Sequence, residues 1–298
     1  MIVKSPLNYT GGKFSILPQI LPKFPSNINN FIDLFGGGFN VGINARANQI
    51  TYNEIITPLY DLMVSIYEAT IDEILNHIES RIEEFNLSKN SKENYIKFRE
   101  FYNKVKNPLD LYVLLCFSFN YQLRWNNSGN FNMPCGIGDF SNIMKQNLKE
   151  FKYKMSQMNI KFSNRNFTDF DIYGLTSDDM VYCDPPYLIT TATYCDGKRG
   201  FEGWNEKYEK LLLQLLDKLD DMGVKFALSN VLSHKGKTND ILTEWHKKYN
   251  TYDIVKNYKT SNYQKSGKNN FETREVLITN YIPQIEHKKT LLDFISEL

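Results

Sequence analysis

The sequence predicts an α/β fold: a mixed sheet with helices on both faces, interrupted by a largely helical insertion. Three observations carry that expectation. Residues 30–47 read as a strand, a glycine turn and a helix start. Residues 180–183 are a short apolar, strand-like run that stops on two consecutive prolines. Between these two strands the apolar residues recur at helical spacing.

In Asn30-Phe31-Ile32-Asp33-Leu34-Phe35 the β-branched and aromatic side chains suit a buried strand. Gly36-Gly37-Gly38 supplies a tight turn, and a helix is expected over residues 39–47. The next strand, residues 50–53, ends on Glu54, near the spacing of about 20 residues at which an acid meets ribose hydroxyls. The dinucleotide fingerprint fails, because the third glycine of G-x-G-x-x-G counted from Gly36 falls on Val41. A pyrophosphate therefore lacks its cradle. An adenosine ligand without phosphate needs only the close turn and the acid, and S-adenosylmethionine answers that description. Upstream, Asn8-Tyr9-Thr10-Gly11-Gly12-Lys13 is not a phosphate-binding loop, since Leu7 stands where its first glycine belongs and Phe14 follows the lysine. On composition it is a Gly-Gly turn with a solvent lysine.

Residues 58–85 and 92–104 read as amphipathic helices, and Pro108 as the first residue of a helix through the apolar run of residues 109–119. Residues 120–134 turn rich in Asn and aromatics around Asn127-Ser128-Gly129, as a hairpin would. Asn, Gln and Arg are side chains that read base edges, and they also serve an ordinary loop-rich hairpin. Past residue 183, the stretch 188–203, with Gly197, Gly200 and Gly203, reads as a mobile loop able to close over a ligand. Residues 205–222 make an amphipathic helix ended by Gly223, and residues 224–228 the next buried strand. A loop over residues 256–274 and a final strand over residues 275–280 complete the chain.

Composition points to a cytoplasmic protein without membrane or metal. The mostly apolar stretch of residues 111–119 is far short of the ~20 residues that span a bilayer, and the N-terminus carries no export signal. Cys116, Cys135, Cys183 and Cys195 form no C-x-x-C pair and the four histidines are scattered, so reduced cysteines and no metal are expected. The net charge is only +1, but residues 81–165 hold fourteen Lys and Arg against seven acids. Residues 55–80 add five acids and no base. The concentration of basic residues is consistent with phosphate contact, and a solvated helical face would explain part of it.

The chemistry rests on Asp184-Pro185-Pro186-Tyr187. An exocyclic amine of adenine or cytosine is a poor nucleophile because its lone pair is delocalised into the ring. A catalyst must hold its N–H bonds with acceptors and expose the lone pair. Asp184 can accept one hydrogen and the Pro185 carbonyl the other, while two prolines fix the backbone at the strand end. Tyr187 offers a ring face for a flipped-out base.

Together, residues 9–13, 33–38, 184–187 and the last strand resemble, in order and spacing, the Dam-type N6-adenine DNA methyltransferases of the alpha arrangement. The resemblance covers nearly the whole chain. It implies a Rossmann-like S-adenosylmethionine-dependent methyltransferase fold with residues 1–55 and 162–298 as the catalytic domain and residues 56–161 as the inserted target-recognition subdomain. Tyr9, Thr10, Gly11, Gly12 and Lys13 would line the cofactor pocket, as would Asp33, Phe35, Gly36 and Gly38. Glu54 would hold the ribose, and Asp169 and Phe170 would meet the cofactor adenine, beside Asp184. Asn120, Gln122, Arg124, Asn126, Asn132 and Pro134 would meet DNA, with Arg124 in the position of the family's base-reading arginine. Tyr121, Gln122, Ile137 and Gly138 depart from the subgroup that modifies GATC, so that target is not assigned. The expected function is methyl transfer to adenine N6 in a short sequence of double-stranded DNA, with a cognate restriction endonuclease as a partner on the same site. The alternatives are an RNA amine methyltransferase and a catalytically silent DNA-binding regulator; a nicotinamide oxidoreductase is weakened by Val41.

Overall fold

The computed structural model describes residues 2–9, 11–190, 203–255 and 273–283. Thr10, Cys195 and most of the two loops expected over residues 188–203 and 256–274 lie outside the described residues. After the short α1 (Leu17–Ile20), the sheet opens with β1 (Asn30–Asp33) and β2 (Gln49–Asn53). Five helices follow: α2 (Thr57–Glu68), α3 (Ile71–Glu84), α4 (Lys92–Val105), α5 (Pro108–Phe117) and α6 (Asn142–Ser156). The chain then returns through β3 (Ile160–Ser163), β4 (Met180–Cys183), α7 (Glu206–Asp221), β5 (Lys225–His234), β6 (Lys237–Thr238), α8 (Asp240–Trp245), β7 (Asn250–Ile254) and β8 (Arg274–Thr279).

The strand order is β3-β2-β1-β4-β5-β8-β7, with β6 paired to β5. The strands from β3 to β5 in that order are parallel, and β8 runs antiparallel to both β5 and β7. All four residues of β4 are buried, as expected for a strand covered on both faces. The chain moves outward from β1 to β2 and β3, then crosses back to place β4 on the other side of β1. Strand order therefore reverses at β1, and such a reversal opens a crevice at the carboxyl ends of the two strands. The glycine turn follows β1 there, and Asp184 follows β4.

Four expectations are corrected. The helix over residues 39–47 is replaced by one 3-10 turn, Gly42–Asn44. Phe39 has φ +60°, which cannot open an α-helix. The Asn40 side chain instead accepts from the Ser5 amide (3.1 Å), and Asn44 brackets Val3 with bonds of 2.8 Å in both directions. The helix over residues 58–85 is two helices, because Thr70 and Glu73 form a reciprocal capping box that starts α3. The helix in the apolar run stops at Phe117, where Ser118 turns extended and its hydroxyl binds the Leu115 and Gln122 carbonyls. The boundary at residue 161 falls inside β3, which pairs with β2 as a strand of the main sheet.

The insertion is built around α5, whose residues from Leu111 to Phe117 are all buried. A helix apolar on every side belongs inside a bundle, and α2, α3 and α4 pack against it. One continuous apolar cluster joins this bundle to the sheet face through Phe39, Tyr52 and Phe151.

Candidate active site

The glycine turn is shaped by what approaches it. The Gly36 amide donates to the Asn53 carbonyl of β2 (2.8 Å), and a Cβ on Gly36 would collide with the Tyr52 ring. Gly37 has φ +49°, and its carbonyl accepts from the Tyr52 hydroxyl (2.9 Å). Glu54 closes the turn from the end of β2: its Oε2 accepts from the Gly37 amide (2.9 Å) and its Oε1 from the Ile56 amide (2.8 Å). The carboxylate is buried yet faces the crevice.

Across the crevice, the Asp184 carboxylate is held on both oxygens. Lys13 Nζ lies 2.6 Å from Oδ2, and the Tyr187 hydroxyl lies 3.1 Å from Oδ1. The same hydroxyl is 3.2 Å from Glu275 Oε1 at the start of β8, and Lys13 Nζ is 4.0 Å from that oxygen. Lys13 is thus a buried cation between two carboxylates, also donating to the Gly11 carbonyl (2.8 Å) and sitting 5.1 Å above the Tyr187 ring. The reading of Lys13 as a solvent lysine is corrected. Burial pushes the Asp184 carboxyl above the usual range, and Lys13 opposes that rise. Asp33, under the turn, is pushed up to about 7, chiefly by burial; its bond from the Gly42 amide opposes, while Asp184 and Glu54 add to the rise.

These groups enclose a cavity of about 350 Å³. Tyr9, Gly11, Gly12, Lys13, Asp33, Phe35, Gly36, Gly38, Glu54, Asp184, Pro186 and Tyr187, all expected from the sequence, line it, and Pro185 is buried beside it. Asp169 and Phe170 do not line it. The 3-10 turn Phe167–Asp169, capped by Asn166, points Phe167 inward and leaves Asp169 exposed, so Asn166 and Phe167 form that wall. Phe35, Phe167 and Trp204 meet there with ring centroids 5.5 to 5.8 Å apart. Trp204 is anchored by its indole N–H to the buried Glu209 (2.6 Å), which also accepts from Asn230 and Asn239. Asn53, Asn166, Phe167, Trp204 and Glu275 are among the site residues that the sequence alone did not single out. Glu275 carried one signal, an acid opening an otherwise apolar strand.

The hairpin residues stand apart from the cavity: none of Asn120, Gln122, Arg124, Asn126, Asn132 and Pro134 lines it. Asn120, with φ +54°, is linked to the glycine-lysine segment by the Asn8 side chain, which donates to its carbonyl (2.8 Å). Trp125 and Phe131 bridge the hairpin, and the Asn126 side chain closes its turn by accepting from the Ser128 and Asn130 amides. Gln122 and Pro134 hold its base, through the Ser118 hydroxyl and the Phe119 amide. Arg124 is bonded to Asn132.

A family model described as D12 class N6 adenine-specific DNA methyltransferase matches residues 9–280. The chain belongs to this family. Among curated relatives, the type II methyltransferase M.FokI of Planomicrobium okeanokoites is 48% identical over 281 residues, 94% of this chain and 43% of that protein. The modification methylase StsI of Streptococcus sanguinis is 46% identical over 283 residues, with the same 94% and 43% coverage. The DNA adenine methylase of Escherichia coli strain K12 is 28% identical over 191 residues, 63% of this chain and 66% of that protein. The chain therefore spans less than half the length of the first two. Among the described residues no helix is long and apolar enough to cross a membrane, and no group of three or more His, Cys, Asp or Glu could hold a metal ion.

Proposed function

We propose that the chain transfers a methyl group from S-adenosylmethionine to the N6 amine of adenine within a short sequence of double-stranded DNA, as a cytoplasmic enzyme. The observation that carries this reading is the pairing of two sites across one crevice: the Glu54-braced glycine turn at the end of β1 and the Lys13–Asp184–Tyr187 cluster at the end of β4. The residues present fit the cofactor. Glu54 presents its carboxylate to the crevice, and a carboxylate is the acceptor that ribose hydroxyls require. Phe35, Phe167 and Trp204 make an apolar wall suited to an adenine ring, and nothing in the turn supplies a pyrophosphate cradle. When bound, S-adenosylmethionine supplies a methyl group activated by its sulfonium charge.

The protein's part is orientation. The adenine is flipped from the duplex, at an unstacking cost of a few kcal/mol. Asp184 and the Pro185 carbonyl accept its amine hydrogens, and Tyr187 offers its ring as a stacking platform. Bonds from the Tyr187 hydroxyl to Asp184 and Glu275 fix that ring in place. The nitrogen would bond to the methyl carbon as the carbon–sulfur bond breaks, and the proton it then sheds would pass to the Asp184 carboxylate, so no cysteine nucleophile is required. Target recognition falls to the segment between β2 and β3, residues 56–159. Arg124 is its guanine reader: Arg124→Ala is expected to cost about 1–3 kcal/mol and to relax choice at one position, read from rates on single-base variants of the target. The names of the relatives, type II methyltransferase and modification methylase, favour a partner endonuclease that cuts the same site.

Asp33 makes cofactor binding proton-linked. A cation entering beside it favours the ionised carboxylate and lowers its pKa, so near pH 7 binding is expected to release protons. Calorimetry in Tris and in phosphate reads this as different apparent enthalpies, and Asp33→Asn should remove the difference. Equal enthalpies for the parent would take Asp33 out of this role. The function itself is tested by incubating the purified protein with S-adenosylmethionine and either duplex DNA or duplex RNA, then measuring N6-methyladenine. DNA-only product is expected; RNA-only product would overturn the reading.

A further inference from the structure

The hairpin arginine is held by its own partner strand in a way that leaves one edge of the guanidinium for a ligand. Arg124 Nε donates to Asn132 Oδ1 (2.8 Å), and Arg124 Nη2 donates to the Asn132 backbone carbonyl (2.8 Å). The Asn132 amide in turn donates to the Arg124 carbonyl (3.0 Å), so the two residues close a ring across the hairpin. A guanidinium has two edges with parallel donors: a side edge of Nε and one Nη, and an end edge of both Nη atoms. Asn132 takes the whole side edge. The end edge that remains matches the O6 and N7 acceptors of guanine in the major groove.

Asn132 cannot drift, because the residues on either side of it are bonded to α4. Tyr95, Arg99 and Asn103 recur every four residues and so share one face of that helix. The Tyr95 hydroxyl and Arg99 Nη1 donate to the Met133 carbonyl (3.0 and 3.2 Å). Asn103 donates to the Phe131 carbonyl (2.9 Å) and accepts from the Phe131 amide (2.7 Å). Phe131 and Met133 are buried beneath, so the backbone of Asn132 is fixed before DNA arrives. An arginine ordered in the free protein has little rotamer freedom left to lose on binding, which is how preorganisation raises discrimination.

We propose that Asn132 is a positioning residue for base recognition: it orients the Arg124 guanidinium so that its free end meets a guanine, and it makes no base contact itself. This rests on the reading of Arg124 as the guanine reader. It also revises the expectation of Asn132 as a direct DNA contact. An unheld arginine would still reach the base, with a weaker preference for it.

The test compares the parent with Asn132→Ala, Arg124→Ala and the double variant on duplexes carrying the methylated motif and each of its single-base variants, at matched salt over a series of concentrations. Asn132→Ala is expected to lose roughly tenfold in discrimination at the same position that Arg124→Ala affects. Adding it to Arg124→Ala should change nothing further, and the salt dependence of binding should stay as in the parent, because asparagine carries no charge. Asn132→Asp keeps the acceptor for Nε and is expected to retain the preference while weakening binding to all duplexes, which separates the positioning role from misfolding. A uniform loss with Asn132→Ala on every duplex, or a loss additive with Arg124→Ala, would overturn the inference and make Asn132 a backbone contact. If Arg124→Ala itself leaves the motif unchanged, the arginine reading fails first and the inference falls with it.

Discussion

Replacement of Asp184 by Ala is expected to abolish methyl transfer while leaving cofactor affinity largely intact. In the proposed reaction the carboxylate orients the amine, and loss of one preorganised acceptor or donor in an active site typically costs ~100- to 1,000-fold in turnover. The fold should survive the change. Lys13 keeps the Gly11 carbonyl as an acceptor and lies 4.0 Å from Glu275, so its buried charge is not left without a counterion. Asp184→Asn, which keeps shape and one acceptor oxygen, is the gentler variant and should also be strongly impaired, since Lys13 then meets a neutral group. Turnover within tenfold of the parent for Asp184→Ala would remove Asp184 from the role of amine acceptor.

The second large effect is expected at Glu54. Its carboxylate braces the glycine turn through Gly37 and Ile56, and in the proposed function it also offers acceptors to ribose. Glu54→Ala removes charge-assisted bonds worth roughly 1.5–3 kcal/mol and leaves two buried amides without acceptors, each costing about 1–3 kcal/mol. Cofactor affinity should fall by at least ~10-fold, and the melting temperature should fall with it. Glu54→Gln separates the tasks, because its amide oxygen can still brace one backbone N–H. Calorimetry and thermal melting on both variants check this. Reduced stability with unchanged affinity would make Glu54 only a tie of the turn.

How much of this was legible in the sequence depends on how far apart the interacting residues lie. The end of β1, the glycine turn and Glu54 are local: one strand, one turn and the next strand, each with its own composition. The end of β4 is equally local, since Pro185 and Pro186 fix the backbone that displays Asp184 and Tyr187. Some failures are local, such as the Thr70–Glu73 capping box that divides α2 from α3, but those that shape the site are long-range. Residues 39–47 have apolar spacing that suits a helix, but Asn40 and Asn44 spend their side chains on Ser5 and Val3 near the N-terminus, and no local pattern shows that. Lys13 stands in a segment composed like a turn, and only the meeting with Asp184 makes it a buried cation. Glu275 reaches Tyr187 from 88 residues away, because antiparallel pairing of β8 with β5 sets Glu275 opposite Val231. Trp204 follows a glycine-rich stretch with no periodicity, and its place in the cavity wall is set by Glu209 on the first turn of α7.

Single-molecule sequencing of DNA from cells expressing this chain reads the modified base and its motif together. N6-methyladenine is expected at one short motif with a guanine near the modified base, and no such mark in cells expressing Asp184→Ala. Unmodified adenines in both, or the same marks in both, would contradict the proposed methyl transfer.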